Sequence, residues 1–302
     1  MNVASGVVCN LCSETQFTTQ YAYKEFDLMR CQSCGLGVLS PMPSIDSENY
    51  YAEEYYRGTL EEGIGFDVLN PDSLAMARQG MQKKIDWLLT KRSLSSFIDI
   101  GCGIGLLVEA AATKGIQAKG VDVSRFAIEY GRNKLNIQGL EAGLFQDVME
   151  PGARFDVVYL NHVIEHVIDP SNFVAECGQL LQPGGWLVLE APDIDSTEAV
   201  REGKAWKYIL SEHLHYFNIS TLCKMTEKHG FKVRYVEKEV DSPGILHAMC
   251  GGENTAKEFY DRWLMNPFSQ QCIRIVRSVY SHIGQKSKKV DYKYIKVVVE
   301  KC

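Results

Sequence analysis

The stretch Phe97-Ile98-Asp99-Ile100-Gly101-Cys102-Gly103-Ile104-Gly105 decides how the rest of the chain is read. Four residues of strand character run into three alternating glycines, and an apolar helical stretch follows to about Lys114. Glycines in such a turn let the backbone approach a ligand closely, with the N-terminus of the helix behind them. The third glycine falls one residue too early for the dinucleotide fingerprint Gly-x-Gly-x-x-Gly. No Gly-Lys-Ser/Thr follows, which excludes a P-loop.

Working outward, apolar strands alternate with helical stretches, the pattern of parallel βαβ units. Strands are predicted at Gln117–Val121, Phe155–Leu160, Trp186–Glu190, Phe231–Val236 and Tyr294–Glu300. Helices are predicted at Ser124–Lys134, Asn172–Leu181 and Ser220–His229, with a helical insertion over about 243–290. Asp122 ends the second strand, where a carboxylate can accept both hydroxyls of a bound ribose. It could instead cap the next helix, but Ser124 is the better cap. Asp99 reads either as a structural turn residue or as the partner of a ligand ammonium.

Upstream, Cys9-Asn10-Leu11-Cys12 and Cys31-Gln32-Ser33-Cys34 enclose eighteen residues. Two Cys-x-x-Cys turns supply four thiolates for one tetrahedral zinc with no open position, a structural site that holds a segment too small to have its own core. The other six of the ten cysteines are scattered singly, so metal binding in a reducing compartment is favoured over disulfides. Residues 1–40 are therefore expected to form a zinc ribbon, 41–90 a tyrosine-rich helical linker or lid, and 91–302 the α/β domain. Pro41 and Pro43 mark the first boundary. In the linker, Tyr51, Tyr55 and Tyr56 read equally as a lid or as packing between modules. Met76, Met81, Ile85 and Leu88 fall on one face of a helix.

The chain has 302 residues, 45% of them hydrophobic and 23% charged, and a net charge of −6. That balance argues against a nucleic-acid binder, whose affinity comes from clustered Lys and Arg. Between Cys9 and Cys34 the only cationic side chains are Lys24 and Arg30, and Lys286, Lys288 and Lys289 read as a solvated loop. No apolar run is long enough to span a membrane and the first residues lack the pattern of a signal peptide, so the expected location is the cytoplasm.

The run from Phe97 to Asp122 resembles the first motifs of class I S-adenosylmethionine-dependent methyltransferases. Phe155 to Val167 resembles that family's fourth strand and following turn, and Leu180-Leu181-Gln182-Pro183-Gly184-Gly185 the turn before its fifth. The resemblance implies a doubly wound, Rossmann-like α/β fold with a seven-stranded sheet, and S-adenosylmethionine as cofactor. It places Asp99, Gly101 and Gly103 at the methionine part, Asp122 at the ribose, Leu144 and Phe145 by the adenine, and Asn161 and His162 near the sulfonium. Many relatives carry an acidic residue near the adenine amine. Here the stretch is Gly143-Leu144-Phe145-Gln146, so Gln146 or backbone carbonyls have to serve.

The cysteine ribbon, Pro-x-Pro and Tyr-Tyr segment together are similar to a subgroup associated with sugar and natural-product methylation. The subgroup's sugar C-methyltransferases carry a further C-terminal domain after the core's last strand, where this sequence stops, so C-methylation of a ketosugar is not the expected reaction. In its members a Glu-His pair after the fifth strand lies in the active site, which points to Glu212 and His213 as the catalytic pair. An imidazole can take the proton of a hydroxyl or amine acceptor, and a neighbouring carboxylate can orient it. His215 reads evenly as an alternative base or as packing. His162 and His166, four apart, could mimic a metal pair but fit a short helical turn better, with one near the cofactor and one packed. The expected partner is a small-molecule acceptor, with a sugar link as the favoured case. An RNA methyltransferase using the ribbon and a non-catalytic S-adenosylmethionine-binding protein are the alternatives. The sequence sets no oligomeric state.

Overall fold

The structure, a computed structural model, describes residues 7–44, 50–59, 67–239 and 293–302. The expected insertion at 243–290 and the three lysines at 286–289 lie outside the described residues.

The N-terminal module holds β1 (Phe17–Ala22), β2 (Asp27–Cys31) and β3 (Gly37–Ser40). A short helix α1 (Glu53–Tyr56) carries the tyrosines, and α2 (Pro71–Lys91) opens with Asn70 accepting from the Asp72 amide. Proline at the first helical position fits that start. The apolar face of α2 is built by Leu74, Ile85 and Leu88, whereas Met76 is 70% exposed. The expected stripe thus holds at its C-terminal half and is shifted at its start, where Leu74 takes the inward position.

Next come β4 (Ser96–Ile100), α3 (Leu106–Thr113), β5 (Gln117–Asp122), α4 (Arg125–Asn133), β6 (Leu140–Ala142) and α5 (Phe145–Val148). They lead to β7 (Phe155–Asn161), α6 (Pro170–Gln179), β8 (Leu181–Pro192), α7 (Thr197–Glu202), β9 (His215–Tyr216), α8 (Ile219–Glu227), β10 (Phe231–Glu239) and β11 (Tyr294–Lys301). Seven strands form one sheet in the order β10-β11-β8-β7-β4-β5-β6. The pairs β8-β7-β4-β5-β6 are parallel, and β11 runs antiparallel to both its neighbours. The near-continuous burial of β7 and β8 is what a sheet covered on both faces requires.

The strand order reverses between β4 and β7, because β4 leads outward to β5 while β7 lies on its other side. Open α/β sheets bind ligands in the crevice beyond the carboxyl ends of the strands at such a point. Both the glycine turn and the Asn161-His162 turn open there.

The second sheet has the order β1-β2-β3-β9, so the N-terminal module gains its fourth strand from the segment between β8 and α8. Gly37 pairs with Tyr216 and Val38 with His215, and the Leu39 amide donates to the Leu214 carbonyl at 3.1 Å. A Cβ on Gly37 would lie 2.7 Å from that of Tyr216, so only glycine lets the strands approach this closely. The module also shares a core with the large sheet. Phe17, Met29, Leu36 and Val38 belong to the same buried cluster as Val158, Phe217 and Leu222.

Candidate functional site

Gly101, Gly103 and Gly105 all have positive φ, at 75°, 53° and 87°. A side chain on Gly101 would collide with Val163 at 2.4 Å, and one on Gly105 with Leu140 at 2.7 Å. The turn therefore needs glycine both for its backbone angles and for its packing. The Gly101 and Cys102 amides donate to the Val121 carbonyl at 2.7 and 3.1 Å, which ties the turn to the neighbouring strand.

Asp122 completes the turn. One carboxylate oxygen accepts from the Gly103 amide at 2.7 Å and the other from the Ser124 amide at 2.8 Å. Ser124 caps α4 through the Ala127 amide, as expected. Asp122 is thus not the helix cap, yet it is not unattached either, since it links turn and helix from a cavity wall. Burial raises its pKa against the pull of the Ser124 and Gly103 amides.

That cavity has a volume of about 660 Å³. It is lined by Gly101 and Gly103 of the turn, by Asp122 at the end of β5, by Leu144, Phe145 and Gln146, and by Asn161, His162 and His166 after β7. Tyr51, Tyr55 and Tyr56 also line it, and successive rings pack edge to face, with Tyr51 and Tyr55 centroids 4.9 Å apart. Seven of the eight positions expected around the cofactor therefore lie on one wall system. The eighth, Asp99, is 3% exposed and sits beneath the turn instead. One of its carboxyl oxygens is buried without a hydrogen-bond partner. Burial and the Asp122 charge drive its pKa well up, a state that a cationic ligand at the turn would relieve. A glycine cradle, a strand-tip carboxylate and an unpaired buried acid fit a cofactor with vicinal ribose hydroxyls and an ammonium.

Three contributors escaped the sequence reading. Glu176, on α6, also lines the cavity and accepts from the Gln146 amide nitrogen at 2.6 Å. It supplies an acidic group at the Leu144-Phe145 end that the local sequence lacks, and thirty residues of separation hid it. Lys84, on α2, donates to the Asn161 side-chain oxygen at 2.9 Å and pairs with Glu190, which also pairs with Lys296 at 3.2 Å. This buried network holds Asn161 at the end of β7, and only the inward face of α2 could have signalled it. Glu165 is the third. It is 2% exposed, and one oxygen meets the His162 Nδ1 at 3.2 Å while the other has no partner.

His162 has a φ of 56°, a strained value for a non-glycine residue, which directs its ring into the cavity. A 3₁₀ turn over Ile164–His166 follows, matching the short turn expected for the two histidines. His166 nevertheless also reaches the cavity.

Glu212 and His213 are 2% and 6% exposed and do not line the cavity. The His213 ring lies behind that of His166, with centroids 4.7 Å apart. Its Nδ1 donates to the Tyr208 carbonyl at 2.8 Å, so a backbone carbonyl rather than a carboxylate orients this nitrogen. Burial and the neighbouring His166 push its pKa down to about 3, leaving a neutral ring. His215 lies in β9, 1% exposed, with Nε2 3.3 Å from the Asn10 side-chain oxygen, and it does not line the cavity.

Cys9, Cys12, Cys31 and Cys34 have their sulfurs within 4.8 Å of one another. Cys9 and Cys34 approach to 3.4 Å, and Cys12 and Cys31 to 3.6 Å. Sulfurs bound tetrahedrally to zinc at about 2.3 Å stand about 3.8 Å apart, so the four thiols fit that ion.

A family model described as a methyltransferase domain matches residues 75–236. A ubiquinone biosynthesis O-methyltransferase from Thiobacillus denitrificans is 36% identical over 164 residues, covering 49% of this chain and 70% of that protein. One of the same name from Leptothrix cholodnii is 37% identical over 100 residues, 30% of this chain and 42% of that protein. The chain spans under half the length of several such curated relatives. Among solved structures, a SAM-dependent methyltransferase from Archaeoglobus fulgidus superposes with a TM-score of 0.50 at 18% identity, covering 74% of this chain and 94% of that one. At that identity the likeness establishes the fold.

Proposed function

The chain belongs to the methyltransferase-domain family, and we propose that it is an enzyme transferring a methyl group from S-adenosylmethionine to an oxygen of a small molecule. The observation that carries this is the glycine turn tied to Asp122 in the wall of a large cavity at the strand-order reversal. The methionine part would lie over Gly101 and Gly103 with its ammonium toward Asp99. The ribose would meet Asp122, and the adenine would lie between Leu144 and Phe145, near Gln146 and Glu176.

The cofactor supplies an activated methyl group, so the protein's task is to align the acceptor and exclude water. Asn161, His162 and the tyrosines of α1 and its N-terminal flank enclose the space beyond the sulfonium. The acceptor's proton would be handled at the imidazole cluster, with His166 on the wall and His213 and Glu212 behind it. Oxygen is favoured over nitrogen because the matching relatives are named O-methyltransferases. Within that class, the subgroup resemblance of the front end favours a hydroxyl of a sugar or natural-product intermediate.

The four thiols would hold zinc in a structural role. With β3 paired to β9 and Arg30 bonded to Asp195 at 3.1 Å, the ribbon would act as a fixed wall for the segment that carries Glu212 and His213. That use of Arg30 leaves the ribbon few cations for RNA, which disfavours the RNA alternative. No described helix is long and apolar enough to cross a membrane, in keeping with our proposal of a cytoplasmic enzyme. Incubation with methyl-labelled cofactor and a panel of nucleotide-linked sugars and hydroxylated metabolites tests the reading. Label should enter at least one hydroxylated acceptor; cofactor binding with no transfer to any would favour a non-catalytic role.

A further inference from the structure

The buried cluster behind the acceptor end of the cavity has features that methyl transfer alone does not call for. Glu165, His166 and His213 bring one carboxylate oxygen and one nitrogen from each ring within 4.8 Å of one another. Each ring meets a backbone carbonyl through Nδ1, and the His166 Nδ1 also lies 3.1 Å from the Tyr51 hydroxyl, which can accept a share of the same N–H. His166 Nδ1 donates to the Glu212 carbonyl at 2.9 Å, and His213 Nδ1 donates to the Tyr208 carbonyl at 2.8 Å. A carbonyl oxygen can only accept, so the proton of each ring sits on Nδ1 and each Nε2 keeps its lone pair. Metal-ligating histidines show this arrangement, with the far nitrogen fixed by a backbone carbonyl or carboxylate. Glu165 adds an oxygen that is buried and has no partner. Leaving such an oxygen unmatched is costly unless something cationic meets it.

We propose that Glu165, His166 and His213 bind a divalent transition-metal ion whose open coordination position faces the cavity. Two histidines and one carboxylate are a ligand set for zinc or ferrous iron, and three protein ligands are what a catalytic rather than a structural site provides. Ligands at about 2.1 Å stand about 3.4 Å apart in a tetrahedron, which side-chain rotations reach from a present separation of up to 4.8 Å. His166 lines the cavity, so an ion bound to it would be reached from that side.

The ion's use rests on the methyl-transfer reading; its binding does not. An acceptor hydroxyl bound to the ion would lose its proton more readily. With both imidazoles bound to the ion they act on the proton through the metal rather than as bases: the O–H bond breaks and the proton passes to water at the cavity mouth. The oxygen then forms the new bond to the methyl carbon as the S–CH₃ bond breaks, and that bond's electron pair stays on sulfur. The favoured acceptors are those with an acidic or chelating oxygen, such as vicinal dihydroxy compounds or α-hydroxy carbonyls.

The full chain, loaded with excess Zn²⁺ and freed of unbound ion, tests the site by metal counting. Wild type should hold one zinc more than Glu165→Gln and His213→Gln, whatever the occupancy of the cysteine site. Equal counts in all three would overturn the proposal. Zinc-edge X-ray absorption gives a readout that does not depend on comparing stabilities: wild type should show sulfur and nitrogen/oxygen ligands together, and sulfur alone would overturn the site. Calorimetry with the cofactor on the same samples tests the methyl-transfer reading separately.

Discussion

At the residue scale, the cofactor turn depends on groups that each do two things. Gly101 must have positive φ and must also leave room for Val163. Gly101→Ala should therefore lower both the melting temperature and cofactor affinity, whereas Gly103→Ala, whose Cβ would come no nearer than 3.7 Å to the Tyr56 hydroxyl, should cost less stability because it adds only the strain of a positive φ. Thermal melts and calorimetry on the pair check this, and equal losses would contradict the packing argument.

A second residue-scale prediction concerns Asp156, which is 6% exposed. Burial opposes its charge, but the Ser95 hydroxyl at 2.6 Å and the Ser95 and Ser96 amides at 2.7 and 2.8 Å outweigh it and lower the pKa. A carboxyl with a depressed folded pKa stabilises the protein above its unfolded pKa, and that contribution fades as the pH falls through the folded value. Asp156→Asn should cost about 1–3 kcal/mol at neutral pH. The gap to wild type should narrow below about pH 4. A pH-independent gap in denaturant melts would show that the amide contacts rather than the charge carry the effect.

At the scale of elements, much was legible before any coordinates. The alternation of short apolar runs with helical stretches located β4, β5, β7, β8, β10 and β11, because buried parallel strands are short apolar runs between polar turns. The cofactor site followed, since its residues lie at strand ends close in sequence to the glycine turn. The three-residue β6 carries too little pattern to be recognised. The pairing of β3 with β9 joins segments about 180 residues apart, and nothing local in His215-Tyr216 marks a strand. Glu176 and Lys84 were hidden for the same reason, as helix residues whose partners are set by tertiary packing.

That pairing makes a prediction of its own. Gly37→Val places a side chain against Tyr216 and should separate β3 from the β9 segment. Hydrogen exchange should rise at Leu39 and around His213 to Tyr216, while the amides of β4 and β5 stay protected. Unchanged exchange at Leu39 would mean that the strands accommodate the side chain without parting.

At the scale of the molecule, two sheets share one core, and the cavity lies where the large sheet reverses its strand order. The small sheet holds the segment behind the acceptor end rather than the cofactor end. Cys31→Ser should therefore lower stability and acceptor use while leaving cofactor affinity within about threefold, because the hydrogen bonds of the glycine turn run to Val121 and Asp122 of β5 and neither of its packing partners, Val163 and Leu140, belongs to the small sheet. Loss of both together would show that the ribbon supports the whole cavity.

The central claim is that the glycine turn and Asp122 hold S-adenosylmethionine. Isothermal titration of wild type and Asp122→Ala with the cofactor and its demethylated product tests it most directly. Removing a charge-assisted hydrogen bond should weaken both ligands at least tenfold in a variant that still melts cooperatively. Unchanged affinity in that variant, or no binding by the wild type, would contradict the account.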